Sequence, residues 1–347
     1  MVIAEVGVNH DGSMEQAREL VRAAAATGAD AVKFQSFHGA SVVRQDAQKA
    51  RYQLRTTDGR ESQLAMLQRL ELSVDDQIEL RGRCRAAGVE FLSTPFDLDS
   101  LHSLVELGVS TIKLSSGDLT NEPLLRAAAG TECRLILSTG MATLGEIEWA
   151  LGTVASERLG IQDPVVALAA AKATDDFARR ITVLHCTTEY PAPPAEVNLR
   201  AMETLRRAFG NPVGYSDHTV GIAIPVAAVA LGATVIEKHF TLDRTLPGPD
   251  HEASTEPDEF RRMVEEIRMV EAALGDGRKL PTASEIENRQ RVRRSLVAKT
   301  AIRVGEPFTS ANLDVKRPAD GIPASRFGEF LGRPARRDYQ PDQPIDE

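Results

Sequence analysis

The sequence predicts an α/β chain: a (β/α)8 TIM barrel followed by a small second domain. Three observations lead there. First, one local unit recurs. "ATGADAVKFQ", "AAGVEFLST", "ELGVSTIKLSS" and "ALGATVIEKHF" each close a helical stretch at a glycine (Gly28, Gly88, Gly108 and Gly232) and pass into a β-rich apolar run. Glycine supplies the left-handed conformation that stops a helix. Helices alternating with short apolar strands read as βα units around a parallel sheet. Second, such runs number eight, at residues 3–6, 31–35, 90–93, 111–115, 135–139, 182–186, 213–216 and 234–239. Third, charged and hydroxyl side chains gather at the C-terminal ends of those runs, where barrel enzymes carry their chemistry. A doubly wound open sheet is the competing architecture for the same alternation.

The elements follow in order. Several helices carry start signals at capping-box spacing: Ser13 with Gln16, Ser73 with Asp76, and Thr143 with Glu146. Two connections are long. Residues 36–72, after the second strand, are polar and charged and read either as a lid or as a surface excursion. Residues 156–180, before the sixth strand, are rich in alanine. An amphipathic helix at 257–274 follows the eighth strand. The barrel is expected over residues 1–275. Residues 276–294, "DGRKLPTASEIENRQRVRR", read as a polar linker. Residues 295–347 are rich in short β signals and turns, and a domain that small needs company to be stable.

Composition narrows the function. The 347 residues have a formal net charge of −9, which argues against nucleic acid or an anionic membrane as the main partner. An anionic small molecule remains compatible, because a basic pocket can sit in an acidic protein. Cys84, Cys133 and Cys186 are far apart and form no CxxC pair, so reduced thiols are expected. "MVIAEVGVNH" lacks a basic region followed by an apolar one, and no apolar run is long enough to span a membrane. A cytoplasmic protein is the expectation.

The eighth strand, "VIEKHF", shows how the chemistry is arranged. Side chains alternate along a strand, so Val235, Glu237 and His239 share one face and Ile236, Lys238 and Phe240 the other. Lys238 is expected to face outward, toward the helix layer or solvent. The other strand ends bring Glu5, Asn9 and His10; Lys33 and Gln35; Ser93 and Thr94; Lys113, Ser115, Ser116 and Asp118; Ser138 and Thr139; Thr187, Thr188, Glu189 and Tyr190; and Ser216, Asp217 and His218. Lys33 and Lys113, with nearby hydroxyls, suit a phosphate. His218 and His239, on adjacent strands at similar height, can share one metal ion. Two neutral ligands leave a dication its full charge, which suits Lewis-acid work on a carbonyl. Glu5 on an inner barrel face is costly without a purpose. A solvated lysine, a hydrogen-bonded histidine or an ion-paired glutamate is the ordinary reading of any one of these residues; convergence carries the functional one. His10, His185 and Glu189 stay open between structure and function.

The blocks "AEVGVNHDGS", "AVKFQSF", "FLSTPFD", "IKLSSGD", "LSTGMAT", "HCTTEYPAP", "GYSDHTVGI" and "EKHFTLDRTLPGPDH" resemble, in order, those of the sialic acid synthase family. "VKRPADGI" resembles that family's antifreeze-like (SAF, β-clip) domain. The resemblance covers nearly the whole chain. It implies condensation of phosphoenolpyruvate with an N-acylated mannose-type sugar, giving a nine-carbon 2-keto acid and phosphate. It implies a divalent metal, Mn2+ first, with Mg2+ or Co2+ as alternatives. It also implies a homodimer in which each antifreeze-like domain is swapped onto the partner's barrel. By motif, His218 and His239 would be metal ligands. Lys33, Lys113, Ser116, Ser138 and Ser216 would hold phosphoenolpyruvate. Glu5, Gln35, Tyr190, Glu237 and Asp250 would face the sugar or a metal-bound water, with Glu5, Glu237 and Lys113 in the catalytic set. Arg317 would reach the acyl group across the dimer.

Some positions depart from the family pattern. Asp118 stands where many members carry Glu. Thr188 and Glu189 replace the Asn and apolar residue of N-acetylneuraminate-forming enzymes, and Phe34 replaces a polar residue. "SGDLTN" and "CTTEYPAP" look closer to the legionaminic acid branch, whose substrate is a 2,4-diacetamido-2,4,6-trideoxymannose. N-acetylmannosamine is the other candidate. Two different readings compete. One is a metal-dependent barrel aldolase or other 3-deoxy-keto-acid synthase, which predicts a Schiff-base lysine or a second phosphate site. The other is a carbohydrate- or ice-binding protein, for which "RPARRDYQPDQ" is too charged.

Overall fold

A computed structural model describes residues 1–346. The chain divides into two compact units, Met1–Leu274 and a second from Gly275 onward. Eight strands run through the first: β1 Val2–Gly7, β2 Ala31–Ser36, β3 Glu90–Pro95, β4 Thr111–Leu114, β5 Arg134–Ser138, β6 Ile181–Cys186, β7 Val213–Asp217 and β8 Ile236–His239. Their order in the sheet is β3-β2-β1-β8-β7-β6-β5-β4, and every ladder is parallel. β3 and β4, at the two ends of that order, lie side by side, so the sheet curls into a near-closed barrel. A doubly wound sheet would reverse direction at a switch point. Here each strand follows its sequence neighbour around one ring. All eight expected strands are present, with ends displaced by two residues at most.

Alternation separates two cores. Ile3, Ala31, Leu92, Ile136, Leu184 and Val235 point inward and form an apolar plug. Their outward neighbours, among them Val32, Phe34, Ile112, Leu135, Val183 and Ile236, pack against the helices. Phe34 therefore lies outside the barrel interior, stacked on Phe91 with ring centroids 5.8 Å apart. Its apolar character belongs to the helix layer and not to the site. Gly214 occupies an inward position of β7. A Cβ there would lie 2.5 Å from both Leu184 Cδ2 and the Val235 carbonyl oxygen, so only glycine fits that layer.

Gly28, Gly88, Gly108 and Gly232 all adopt left-handed φ values, between +77° and +91°, as helix terminators require. Ser73 with Asp76 and Thr143 with Glu146 form reciprocal capping boxes. Ser13 caps its helix, but the Gln16 side chain does not return to it. Gln16 donates instead to the Asn9 carbonyl at 2.7 Å, tying the helix start to the loop after β1. Residues 36–72 contain three short helices: Gly39–Val42, Arg51–Thr56 and Gln63–Arg69. In the second long connection, helix Leu144–Leu159 runs past residue 156, and two more helices follow, Pro164–Lys172 and Asp175–Arg179. Among the described residues, no helix is long and apolar enough to cross a membrane.

Lys238 does face the helix layer, but it has no access to solvent. It is 1% exposed and pairs with Asp217 at 2.5 Å. Its ammonium also donates to the Thr219 carbonyl at 2.7 Å. Tyr215 Oη, Thr219 Oγ1 and the Thr219 backbone N–H complete the shell around Asp217.

The second unit begins with a difference. The segment expected as a linker carries helix Ala283–Val292, capped by a Thr282–Glu285 box and exposed on all sides within this chain. Its polar composition is that of a solvated helix. Beyond it, β9 Ser295–Ala298 pairs antiparallel with β10 Leu313–Lys316. Leu296, Ile302, Phe308, Leu313, Phe330 and Tyr339 make a separate core.

Two substitutions probe this packing. Gly214→Ala overpacks the inner layer and is expected to cost about 1–3 kcal/mol; an unchanged melting temperature would show slack there. Lys238→Met leaves the Asp217 carboxylate buried and alone, at a cost of about 3–5 kcal/mol in urea unfolding. Adding Asp217→Asn to it should recover part of that loss, because the orphan charge is gone. No recovery would refute the ion-pair account.

Candidate active site

The inward residues change character along each strand. Two positions beyond the apolar plug stand Glu5, Lys33, Thr94, Ser138, Cys186 and Glu237. One cavity of about 720 Å3 opens above them, within the ~300–1,000 Å3 range of small-molecule sites.

Its floor is a buried charge network. Lys33 Nζ lies 2.6 Å from Glu5 Oε2 and 3.6 Å from Glu237 Oε2, and donates to Thr94 Oγ1 at 3.0 Å. Lys113 Nζ stands 3.4 Å from Glu237 Oε1, which also accepts from Ser216 Oγ at 2.9 Å. Gln35 Nε2 reaches Glu5 Oε1 at 3.3 Å. This positioning has a local cause: β1 bulges between Glu5 and Gly7. Gly7 sits there at φ +54°, and a Cβ would come within 3.2 Å of the Gln35 amide and the Glu5 carboxylate.

The two carboxyls are shifted in opposite directions. Burial raises Glu5 despite Lys33 beside it. Burial would raise Glu237 too, but Lys113, Lys33 and the Ser216 hydroxyl bring it below the ordinary carboxylate range. Burial would lower Lys113, but Glu237 and Glu5 raise it. A lysine held protonated in this way is a poor Schiff-base nucleophile.

His218 and His239 end β7 and β8 side by side, with ring centroids 5.6 Å apart. The Ser216–Glu237 and Asp217–Lys238 register pairs bring them level. Burial lowers His218 to about 4, and burial, with His218 and Lys33 nearby, holds His239 well below the ordinary imidazole value. Both rings are therefore neutral, as metal ligands must be. His218 Nδ1 is 2.6 Å from the Thr187 carbonyl, which fixes that ring. His239 Nδ1 is buried with no hydrogen-bond partner, 3.9 Å from Asp250 Oδ2. A neutral orphan nitrogen beside a second neutral imidazole fits a divalent cation. Among the described residues no three His, Cys, Asp or Glu side chains gather as one ligand set, so other coordination positions would fall to substrate or water.

The remaining expected residues are mostly here. Tyr190 packs on His218, with centroids 4.1 Å apart. Ser116 Oγ meets Thr188 Oγ1 at 3.2 Å, and Ser138 Oγ is buried without a partner. Asp250, which burial raises to about 6, lines the cavity, as does exposed Glu189. Arg317 lies in the second unit, exposed, just after β10. Asp118 does not line the cavity. It accepts from Ser115 Oγ at 2.6 Å and Asn121 Nδ2 at 3.1 Å, holding the turn after β4. His10 and His185 do not line the cavity either: His10 Nδ1 accepts from the Gly12 N–H while its Nε2 is buried without a partner, and His185 Nε2 meets the Val197 carbonyl at 2.6 Å. The 36–72 excursion, open in the sequence between a lid and a surface excursion, builds a wall of the cavity. The apolar spacing of Met66, Leu67 and Leu70 was its only signal.

Comparison with known proteins agrees with this arrangement. Residues 20–279 match the NeuB family and residues 293–347 the SAF domain. The N,N'-diacetyllegionaminic acid synthase of Campylobacter jejuni is 50% identical over 347 residues, covering 100% of this chain and 99% of that protein. The synthase of the same name from Legionella pneumophila is 43% identical, over 95% of this chain and 89% of its own. The crystal structure of N-acetylneuraminic acid synthetase from Leptospira borgpetersenii, bound to citrate, superposes with a TM-score of 0.67 at 35% identity, covering 83% of this chain and 89% of that one. With a barrel of this topology, a buried lysine–glutamate floor beside two imidazoles, and similarity along its whole length, the chain belongs to the NeuB family of sialic acid synthases.

Proposed function

We propose that the protein is a nonulosonic acid synthase. It condenses phosphoenolpyruvate with an N-acylated mannose-type sugar, giving a 2-keto acid and phosphate. The observation that carries this reading is the single cavity where two lysines, two carboxyls shifted in opposite directions and two adjacent imidazoles meet. The preferred sugar is 2,4-diacetamido-2,4,6-trideoxymannose, giving a legionaminic-type product, with N-acetylmannosamine as the alternative. The full-length likeness to two synthases named for N,N'-diacetyllegionaminic acid supports that order.

Lys33 and Lys113 would bind the phosphate and carboxylate of phosphoenolpyruvate, assisted by Ser116, Ser138 and Ser216, and would stabilise charge as phosphate departs. C3 of phosphoenolpyruvate attacks the open-chain aldehyde, water adds at C2, and the C–O bond to phosphate breaks. Glu5 and Glu237 face the reacting carbons and handle the protons. Their opposed pKa shifts are the pattern that divides acid from base work. Gln35, Tyr190 and Asp250 would orient the sugar. His218 and His239 would hold a divalent metal, Mn2+ first, with Mg2+ or Co2+ as alternatives. When bound it supplies Lewis acidity toward a carbonyl oxygen. We place the enzyme in the cytoplasm, where three free buried cysteines stay reduced. The working form is proposed to be a homodimer with exchanged SAF domains, each Arg317 serving the partner's sugar.

The primary test is phosphate release from phosphoenolpyruvate with Mn2+ and each sugar. Turnover with the diacetamido sugar at the larger kcat/KM is expected. No release with either sugar, from folded and metal-loaded protein, would overturn the reading. His239→Ala should lose metal-dependent turnover while melting as a folded protein; full activity would remove His239 from the metal site. Mixing inactive His239→Ala with Arg317→Ala chains should restore activity if the SAF domains are exchanged, because one barrel of the hybrid then has both residues. No restoration in a verified hybrid dimer would rule the exchange out.

A further inference from the structure

The cavity has two chemistries. Its floor is charged, but one wall is apolar and comes from the excursion after β2. Phe37, Met66 and Leu70 form with Val8 a small cluster apart from both barrel cores, and Leu67 packs half-buried against it. All of these residues line the cavity. Gln63, one turn before Leu67 on helix Gln63–Arg69, lines it too. Its carboxamide oxygen is buried and has no hydrogen-bond partner. A buried acceptor without a donor is costly. The last torsion of glutamine is broad, so the oxygen can turn to meet a donor on a ligand.

A sugar covered in hydroxyls gains little from such a wall. Methyl groups gain from burial against it. An acylamino substituent offers both things this wall lacks, a methyl group and an amide N–H. Ring position gives the orientation. The imidazoles end β7 and β8, whereas the wall follows β2, with β1 lying between β8 and β2. A sugar with its reacting aldehyde toward the imidazoles turns its remote substituents toward the wall.

We propose that residues 37–70 form the specificity-determining wall of the site. It receives the end of the sugar remote from the aldehyde: methyl groups pack on Phe37, Met66, Leu67 and Leu70, and Gln63 accepts from a second acylamino N–H. This inference rests on the synthase reading and assigns the part of the chain that selects among its sugars.

The test compares kcat/KM for 2,4-diacetamido-2,4,6-trideoxymannose and N-acetylmannosamine in the wild type, Gln63→Leu and Leu67→Asn, with the KM for phosphoenolpyruvate and the melting temperature measured alongside. Leu67 is only half-buried and Gln63→Leu is close in volume, so at least one variant should fold. One methyl group in an apolar pocket is worth about 10–200-fold in selectivity. The expected result is a fall of about tenfold or more in the diacetamido preference in a folded variant, with the KM for phosphoenolpyruvate unchanged. Folded variants that both keep the wild-type ratio would overturn the wall's role and leave the synthase reading intact. A wild-type preference for N-acetylmannosamine would overturn the sugar choice and the wall together. A wild type inactive on both sugars would overturn the synthase reading itself.

Discussion

Asp217 and Lys238 form an ion pair with almost no access to water, and the site depends on it. Burying two charges is favourable only when geometry and extra hydrogen bonds offset the lost hydration. Here Tyr215, Thr219 and the Thr219 carbonyl supply those bonds. The pair lies on the outward face of β7 and β8. The next residues along, His218 and His239, are thereby sent inward at the same height. A slip of one residue would turn each imidazole into the helix layer and each charge into the barrel. The ion pair thus favours the one register in which the imidazoles meet.

The barrel floor obeys a related constraint. Two lysines and two carboxyls share a buried floor within ion-pair distance of one another. The asymmetry comes from the number of partners: Glu237 stands near both lysines and accepts from Ser216, while Glu5 has one close lysine and is raised further by the Glu237 charge. Chemically identical side chains therefore differ in proton affinity. The same network keeps Lys113 charged, which favours an anion-binding lysine over an imine-forming one.

Framework and specificity come from different parts of the chain. The charged and metal-suited groups sit at strand ends, where ladder hydrogen bonds hold the backbone. The apolar wall sits on short helices in a long connection, the part of a barrel that can change without disturbing the sheet. The Lys49 ammonium, bonded to Thr57 Oγ1, the Asp58 carbonyl and Glu61 at 2.9–3.1 Å, ties that connection together.

The sequence by itself determined what depends on local periodicity. Glycine-stopped helices and apolar runs gave the eight strands, and alternation within "VIEKHF" separated Glu237 and His239 from Lys238. The collection of polar residues at strand ends located the floor of the site. Only the tertiary structure decided what depends on distant partners. Asp217 meets Lys238 across 21 positions, Gln16 turns from its own cap to the Asn9 carbonyl, and Asp118 serves a turn and not the cavity. The 36–72 excursion stayed open between a lid and a surface excursion for the same reason: helices of four to seven residues leave too little periodicity to show which face is buried, and that face exists only once the barrel has closed beneath it.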